Sequence, residues 1–330
     1  MDARQALHEL EAEHRLDADA SRRLASLAGL GVEPLTLRRL LPLGMGALAA
    51  ALIGLGLVFW IAANWDTLGR FGRFALLQGV VVAMGAAAFL RESWRAPLAL
   101  LAFIATGALF AYFGQTYQTG ADPWQLFALW AALTLPLALG ARSDLVWAPW
   151  VLVSFVAITA WVHAHSGQRW FDASVDVTVH LAAWCAAGVV IAGMSPELRR
   201  FTAAGAWSRR TAVTLAVVLV TSTAMAGLFF SRQIAMTYPL GLVVLGLLAV
   251  AFVPARRFDV YALSAVALGL VTLATAGFGR LLFDRGGGGD PIGRLFLLGA
   301  GAAALLAGAV SVVLRLARAN TSLGDRGEPA

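Results

Sequence analysis

Residues 42–63 read PLGMGALAAALIGLGLVFWIAA, a run of 22 residues without a charged side chain. The hydrocarbon core of a bilayer is about 30 Å thick, so a helix needs roughly 20 mostly apolar residues to cross it. Further runs of this kind follow as far as residue 316. They are continuous rather than alternating, which argues against a β-barrel, and lipid offers no partner for free backbone N–H and C=O groups. The chain is therefore predicted to be an all-α, polytopic transmembrane helical bundle.

About ten spans are predicted. The fourth and the eighth are the shortest and either can be re-entrant, so nine or eleven crossings are alternatives. Between the sixth and seventh spans, Ser195-Pro196-Glu197-Leu198 predicts a short interfacial helix that ends near Arg209-Arg210. The predicted spans cover residues 42–63, 74–90, 97–113, 124–139, 145–162, 176–194, 211–230, 238–253, 260–278 and 295–316.

Three regions follow from this pattern. Residues 1–40 are polar and predict a short amphipathic helical hairpin, in which Asp17 is the N-cap of the second helix and Asp19 lies in its first turn. Residues 41–316 form the transmembrane helical domain, and residues 317–330 are predicted to be a disordered cytoplasmic tail. No cleavable signal peptide is evident, because the first apolar run comes too late.

Composition limits the function classes. Of the 330 residues, 59% are hydrophobic and 13% are charged, whereas a soluble domain has about 25% charged residues. Little chain remains for an extramembrane catalytic module. The net charge of +6 does not indicate nucleic-acid binding, because the arginines are spread over short loops. With the N-terminus inside, 15 of these arginines are cytoplasmic and 7 lie outside, so both termini are predicted to be cytoplasmic.

A polar passage, GQTYQTGADPW at residues 114–124, separates the third span from the fourth. Glutamine cannot ionise and is a poor acid or base. It suits hydrogen bonding to a ligand headgroup, to a neighbouring helix or to unwound backbone, and these interpretations stay open. Residues of this passage and of the end of the first span are the predicted ligand or partner contacts: Gln115, Tyr117, Gln118, Asp122, Trp124 and Asn64.

Two of these residues also have a structural interpretation. Asp-Pro-Trp-Gln is typical of a helix start, with Asp122 as the N-cap, Pro123 at the first helical position and a glutamine at the third, as in a capping box. Asn64-Trp65-Asp66 ends the first span on the same predicted outer side as the polar passage. The two segments either meet there, or the 64–66 segment is an interfacial and solvated helix end.

Reactive groups are sparse. His180 lies about one turn inside the sixth span, where an ionisable group is a functional hypothesis by default. Asp176 is its one neighbour along the helix, and His163 and His165 can join only through folding, so metal ligands are too few. Cys185 is single and makes no intrachain disulfide. No catalytic triad, His-Glu-x-x-His motif or paired intramembrane carboxylates appear. No catalytic residue, cofactor or metal site is predicted, and the protein is expected not to be an enzyme.

Three segments resemble a bacterial membrane-protein family described as domain of unknown function 2157 (DUF2157). They are the N-terminal hairpin, GLGLVFWIAANWD at residues 54–66 and GQTYQTGADPWQLFALW at residues 114–130. The resemblance covers roughly residues 1–140 and implies a bacterial inner-membrane protein. It supplies no reaction, cofactor or catalytic residue. Members of the family are associated with another membrane-protein type that bears a Gly-Asp-Tyr signature, so the resemblance implies a membrane-protein partner.

The leading hypothesis is a non-enzymatic structural or accessory component of a membrane complex, with membrane lipids and a membrane protein as partners. The alternative is a transporter or flippase-like carrier of a neutral or lipidic substrate. Pro136 and Pro149 motivate it, since broken helices form binding sites in transporters. A third hypothesis is a lipid-modifying membrane enzyme with His180 or Asp122 as the base.

Overall fold

The computed structural model describes residues 13–14, 16–27, 35–64, 67, 69–117, 120, 122–166, 177–230, 234–254, 257–284 and 291–324. Within these ranges the structure is helical and contains no strand, so the predicted all-α polytopic bundle is confirmed. Two 3₁₀ turns, Glu92–Trp94 and Pro196–Leu198, accompany the helices. The helices are α1 (Ala18–Leu27), α2 (Leu35–Ala63), α3 (Arg70–Leu90), α4 (Arg95–Tyr117), α5 (Pro123–Ala141), α6 (Asp144–His165), α7 (Val177–Gly193), α8 (Arg199–Thr202), α9 (Ala206–Phe229), α10 (Thr237–Ala251), α11 (Val260–Asp284) and α12 (Pro291–Gly324).

The ten predicted spans correspond to ten apolar helices of the described chain, but not all of them have full length. Eight are long and apolar enough to cross a membrane, and α7 with α8 makes a ninth if both belong to one span. Helix α10 has 15 residues and is about 22 Å long, which is shorter than a hydrocarbon core of about 30 Å. The eighth span can therefore still be re-entrant, whereas α5, with 19 residues, is long enough to cross.

Among the described membrane helices, a break lies at Met194-Ser195, directly before Pro196. Helix α7 and the segment Pro196–Thr202 meet at an angle of 51°. Helices α5 and α6, by contrast, run unbroken through Pro136 and Pro149. The prediction that the helices break at these two prolines is therefore wrong. The helices continue because neighbouring helices in a membrane bundle can support the backbone groups that proline leaves free.

The short helix predicted after Ser195 forms but ends early. The 3₁₀ turn is followed by the four residues of α8, and Ala203 then adopts a left-handed conformation with φ 50°. A residue in this conformation ends a helix. Arg209 and Arg210 therefore lie in the first turn of α9 and not at the end of the short helix.

Residues Met1–Leu52 form one compact unit. Its helix α1 begins as predicted, because the Asp17 Oδ1 accepts the amide of Ala20 at 2.7 Å. An acidic residue, Asp19, lies in the first turn, where the helix dipole favours negative charge.

The preceding helix of the predicted hairpin falls on residues 3–15, which lie outside the described residues except for 13–14. The hairpin as a whole therefore stays a prediction. The predicted boundary at residue 40 also differs from the structure. Helix α2 already begins at Leu35, and the division between the compact units falls inside this helix, after Leu52.

Residues Ile53–Ala330 form the second compact unit, and α9 is its most buried membrane helix. In the apolar stretch of α9, 56% of the residues are buried, compared with 6% in the apolar stretch of α12. Helix α9 packs against α6, α7, α10 and α11, and α12 packs against α11. Small and β-branched side chains let these neighbours approach closely: Ala212, Val213, Ala216, Val220 and Ala224 are all buried on α9.

The predicted disordered tail begins too early. Helix α12 continues to Gly324, so residues 317–324 are helical and only 325–330 lie outside the described residues. The sequence Leu316-Ala317-Arg318-Ala319 consists of strong helix formers. They extend the helix beyond the apolar run that the span prediction follows.

Candidate functional site

The polar passage 114–124 joins α4 to α5. Gln115 lies in the last turn of α4 and is exposed. Gln118 lies outside the described residues, so the predicted pairing of the two glutamines on one face stays a prediction. The helix ends at Tyr117, and α5 begins at Pro123.

Tyr117 belongs to an aromatic cluster between α3 and α4. Its ring centroid lies 4.8 Å from that of Phe113 and 5.8 Å from that of Phe74. The Arg70 guanidinium carbon lies 5.9 Å from the centre of the same ring. Tyr112 in the same cluster donates to the backbone carbonyl of Arg70 at 3.4 Å. These contacts hold two helices together, so the structural role of Tyr117 is established and its ligand role remains a prediction.

Asp122 occupies the N-cap position of α5 and Pro123 the first helical position, as predicted. The predicted capping box does not form, because the Asp122 side chain makes no capping hydrogen bond. The Gln125 amide donates instead to the Asp122 backbone carbonyl at 3.0 Å. The carboxylate is exposed and remains accessible from the surface of the protein.

Trp124 lies in a second aromatic cluster, between α5 and α6. Its ring centroid is 6.1 Å from that of His165, which in turn is 4.6 Å from that of Trp161. The Trp124 Nε1 is buried without a hydrogen-bond partner. The passage therefore contributes to two separate contacts, with Tyr117 facing α3 and Trp124 facing α6.

Asn64 caps its own helix. Its Nδ2 donates to the Trp60 carbonyl at 2.9 Å, and its carbonyl accepts from the Thr67 hydroxyl at 3.0 Å. Trp65 and Asp66 lie outside the described residues. The expected meeting of this segment with the polar passage stays a prediction.

His180 is buried on α7, with its ring 6.4 Å from that of Trp184 in an edge-on arrangement. Asp176, its predicted neighbour, lies outside the described residues. Within the described ranges, no group of three or more His, Cys, Asp or Glu side chains could hold a metal ion.

The densest polar network lies at the opposite ends of these helices, where sequence reasoning predicted no site. It begins at Asp144, in the first turn of α6. Its Oδ1 accepts the Gly205 amide and the Ser208 hydroxyl, both at 2.6 Å. Its Oδ2 accepts the Trp207 amide at 3.0 Å. The first N–H groups of a helix have no intrahelical partner, so Asp144 caps α9 from a different helix.

Trp147 extends the same connection. Its indole, which is buried, donates to the Thr202 carbonyl at 2.7 Å. Arg142 reaches the Arg200 carbonyl at 3.3 Å. The start of α6, with Arg142 just before it, thereby binds both α8 and the start of α9.

Asp259 is the second centre of this network. Its side chain is 2% exposed and accepts from Arg209 Nη2 at 2.7 Å and from Arg210 Nε at 3.1 Å. The other oxygen, Oδ1, accepts the Tyr261 amide at 3.0 Å and caps α11. Burial alone raises the pKa of Asp259, but the hydrogen bonds from Arg210 and Arg209 outweigh it and hold the pKa below its ordinary value.

A small cavity of about 170 Å³ lies beside this network, between the ends of α7, α9 and α10. Arg209 and Arg257 are among its lining residues. The Arg257 Nε lies 2.5 Å from the Glu197 Oε1. The name inner polar network is used below for Asp144, Asp259, Glu197, Arg209, Arg210 and Arg257.

Larger cavities lie between the membrane helices. A cleft of about 570 Å³ between α9 and α11 and one of about 650 Å³ between α9, α11 and α12 share Met225, Phe229 and Thr272. A further cavity of about 430 Å³ separates α6 from α9. Their walls are mainly apolar, which is typical of surfaces that hydrocarbon chains contact.

The inner polar network was missed because its partners are far apart in sequence. Asp144 and Gly205 are separated by 61 residues, and Asp259 by about 50 from its arginines. One signal is present in the sequence. Between residues 141 and 260 carboxylates are few, and Asp259 directly precedes an apolar run, as an N-cap does.

Comparison with known proteins agrees with the resemblance seen in the sequence. Residues 8–147 match the family described as "Predicted membrane protein (DUF2157)". No curated protein and no solved structure matches the chain. The matched segment includes Asp144 and Trp147 but ends before the residues that they bind in the 200–208 region. The chain is thus an integral, multi-pass membrane protein that carries the DUF2157 family segment over residues 8–147.

Proposed function

We propose that the protein is a non-enzymatic accessory component of a membrane complex in the bacterial inner membrane, with both termini cytoplasmic. The observation that carries this proposal is the use of its carboxylates. Asp144 and Asp259 are the centres of contacts that join helices, and Glu197 pairs with Arg257. These contacts with helix N-termini and with arginine give each of the three carboxylates a structural role, which favours an accessory function.

The last helix supports a role in a larger assembly. Helix α12 has 34 residues and packs against α11, and 6% of the residues in its apolar stretch are buried. Ile292 and Phe296 on this helix are mostly exposed. Contact with lipid and contact with another apolar helix are energetically similar for such a face. A partner helix can therefore replace lipid along α12 without disturbing contacts within the chain.

The experiment is native mass spectrometry of the protein extracted gently from its own membrane. A stoichiometric second membrane protein is the expected result. Deleting residues 1–30, which contain α1, is expected to release that partner if the N-terminal hairpin contacts it, whereas deleting 325–330 serves as the control. Retention of the partner after the first deletion contradicts a role for the hairpin, and detection of no partner protein contradicts the accessory role.

The orientation is tested separately with reporters. A reporter fused after Arg318 is expected to be active only if it functions in the cytoplasm. Activity of a reporter that works only outside the cell contradicts the proposed topology. The proposal rests on the excess of arginine on the predicted inner side, which includes the arginines of the inner polar network.

A second candidate is a carrier of a neutral or lipidic molecule, which the clefts beside α9 favour. Thr221 lines the first of these clefts and Thr275 the second, and the Oγ1 atom of each is buried without a hydrogen-bond partner. A lipidic molecule with one polar group can fill both. Thr221→Val and Thr275→Val are then expected to reduce transport of a fluorescent lipid in vesicles, as is Gln115→Ala combined with Gln118→Ala. Unchanged transport contradicts the involvement of the substituted site.

A further inference from the structure

The cavity at the inner polar network has the composition of a binding site for an anion attached to an apolar chain. It lies where α7 and α10 end and α9 begins. In a membrane protein this level corresponds to the boundary between headgroups and hydrocarbon. Its volume of about 170 Å³ equals that of about six water molecules at roughly 30 Å³ each, which is sufficient for a phosphate group but not for a large ligand.

Arg209 supplies a donor that the protein does not satisfy. Its Nη2 binds Asp259, but its Nε is buried and has no hydrogen-bond partner in the structure. The side chain is 17% exposed. A buried donor without a partner is unfavourable, so an oxygen atom that reaches this nitrogen from the cavity gains a contact that no side chain provides.

Arg257 supplies the second positive charge at a more accessible place. Its side chain is 47% exposed, and that of its partner Glu197 is 44% exposed. An exposed ion pair contributes little to stability and exchanges readily with a competing anion. With Arg210 included, three arginines of the inner polar network face two carboxylates, Asp259 and Glu197.

Apart from Ser195, the remaining walls are apolar. Ile191 from α7, Leu248 from α10 and the adjoining Phe252 line the cavity next to the two arginines. A free inorganic anion gains nothing from these side chains. A phosphate that carries an acyl chain gains contacts with both sets of walls.

We propose that this cavity binds the phosphate of an anionic phospholipid headgroup, with Arg209 and Arg257 as donors and an acyl chain along Leu248 and Phe252. Basic pockets between membrane helices on the cytoplasmic side bind anionic headgroups in this way. A zwitterionic headgroup fits less well, because its ammonium group is repelled by the arginines. This proposal is independent of whether the protein has a partner.

The test uses the full-length protein in detergent with added short-chain phosphatidylglycerol, phosphatidylcholine or inorganic phosphate, and native mass spectrometry to measure binding. Phosphatidylglycerol is expected to bind at least tenfold more tightly than phosphatidylcholine. Arg257→Gln is expected to weaken this binding about tenfold. Glu197→Gln is expected to strengthen it, because Arg257 then lacks a competing carboxylate.

A matched control and a fold check accompany these variants. Arg95→Gln removes an arginine that pairs with Glu92 at 2.8 Å outside the cavity, and it is expected to leave binding unchanged. Melting temperatures of all variants are expected to remain close to that of the wild type. Leu248→Ser is expected to weaken lipid binding without changing any competition by inorganic phosphate.

Three results overturn the proposal. The first is equal binding of the anionic and the zwitterionic lipid. The second is an equal loss of binding in Arg95→Gln and Arg257→Gln, which indicates attraction by overall charge. The third is binding of inorganic phosphate that depends on Arg257 while phosphatidylglycerol does not bind, which assigns the cavity to a free anion rather than to a lipid.

Discussion

Asp144 and Gly205 form a helix cap between two different helices: the carboxylate of Asp144 in α6 accepts the amide of Gly205 at the N-terminus of α9, at 2.6 Å. Gly205 has φ −101°, a backbone conformation that other residues adopt freely. It is required for space, because a Cβ atom there would collide with the Asp144 carboxylate. Gly205 occupies the N-cap position of α9 and has no side chain that could cap the helix. The Asp144 side chain caps it instead and also joins α9 to α6.

Asp144→Ala is expected to lower the free energy of unfolding by about 1–3 kcal/mol, because a cap and a buried hydroxyl lose their acceptor. The hydroxyl is that of Ser208, which is fully buried. Titration with SDS in mixed micelles measures the change. Asp144→Asn keeps one acceptor oxygen and is expected to show a smaller loss, so equal effects of the two substitutions argue against capping.

Gly205→Ala is expected to destabilise the protein by about 1–3 kcal/mol, because the added methyl group overpacks the contact with Asp144. Combining it with Asp144→Ala is expected to cost less than the sum of the two single changes, since the collision disappears. Gly188→Ala on α7 is the control, because a Cβ there meets nothing within 4 Å. Strict additivity in the same unfolding assay contradicts the proposed contact.

Gly107→Ala is expected to disrupt the packing of α4 against α5. A Cβ at this position would collide with the Trp130 ring, whose Nε1 donates to the Phe103 carbonyl at 3.1 Å. The indole is rigid and held by this bond, so a loss of about 1–3 kcal/mol is expected. Tryptophan fluorescence and melting temperature detect the change, with Gly246→Ala as the control because a Cβ there meets nothing within 4 Å.

Asp259 makes stability depend on pH in the acid range. The arginines hold its pKa below its ordinary value in the folded protein, so the unfolded chain binds the proton more readily. The stabilisation is present above an unfolded pKa of about 3.9 and is lost as the pH falls through the lower pKa of the folded state. Melting temperatures between pH 3 and 7 are expected to show this decline.

Asp259→Asn separates the charge of this residue from its capping role. Asparagine is also a good N-cap, so the cap of α11 persists while the pairing with Arg209 and Arg210 is lost. The variant is expected to be less stable at neutral pH and to show a smaller decline between pH 4 and 3. A decline equal to that of the wild type assigns the acid sensitivity to other carboxylates.

Two substitutions in the polar passage distinguish a structural role from a ligand-binding role. Gln115 is exposed, and Gln115→Ala is expected to change the free energy of unfolding by less than about 0.5 kcal/mol. Tyr117→Ala removes contacts with Phe74 and Phe113 and is expected to cost about 1–2 kcal/mol, in the ordinary range for a lost packing contact. If Gln115→Ala alone releases a bound molecule in native mass spectrometry, the exposed glutamine is a ligand contact.

The apolar runs predicted the helices well because lipid leaves the backbone few alternatives. Of the two helix caps predicted from the sequence, one forms with its side chain and the other does not. Asp17 caps α1 as expected, whereas the side chain of Asp122 is not used because a backbone carbonyl accepts the amide instead. Contacts such as that between Asp144 and Gly205 depend on which helix ends meet in space, and the spacing along one sequence does not contain this information.

The separation of Asp144 from its partners has a consequence for the order of events during synthesis. At about 5–20 residues per second, the 61 residues from Leu145 to Gly205 take about 3–12 seconds to translate. Until that stretch has been made, the carboxylate and the Trp147 indole lack the groups that they bind in the finished protein. The membrane insertion machinery, or surrounding water, has to solvate this helix end until α9 arrives, so the first half of the chain matures only when the second half is made.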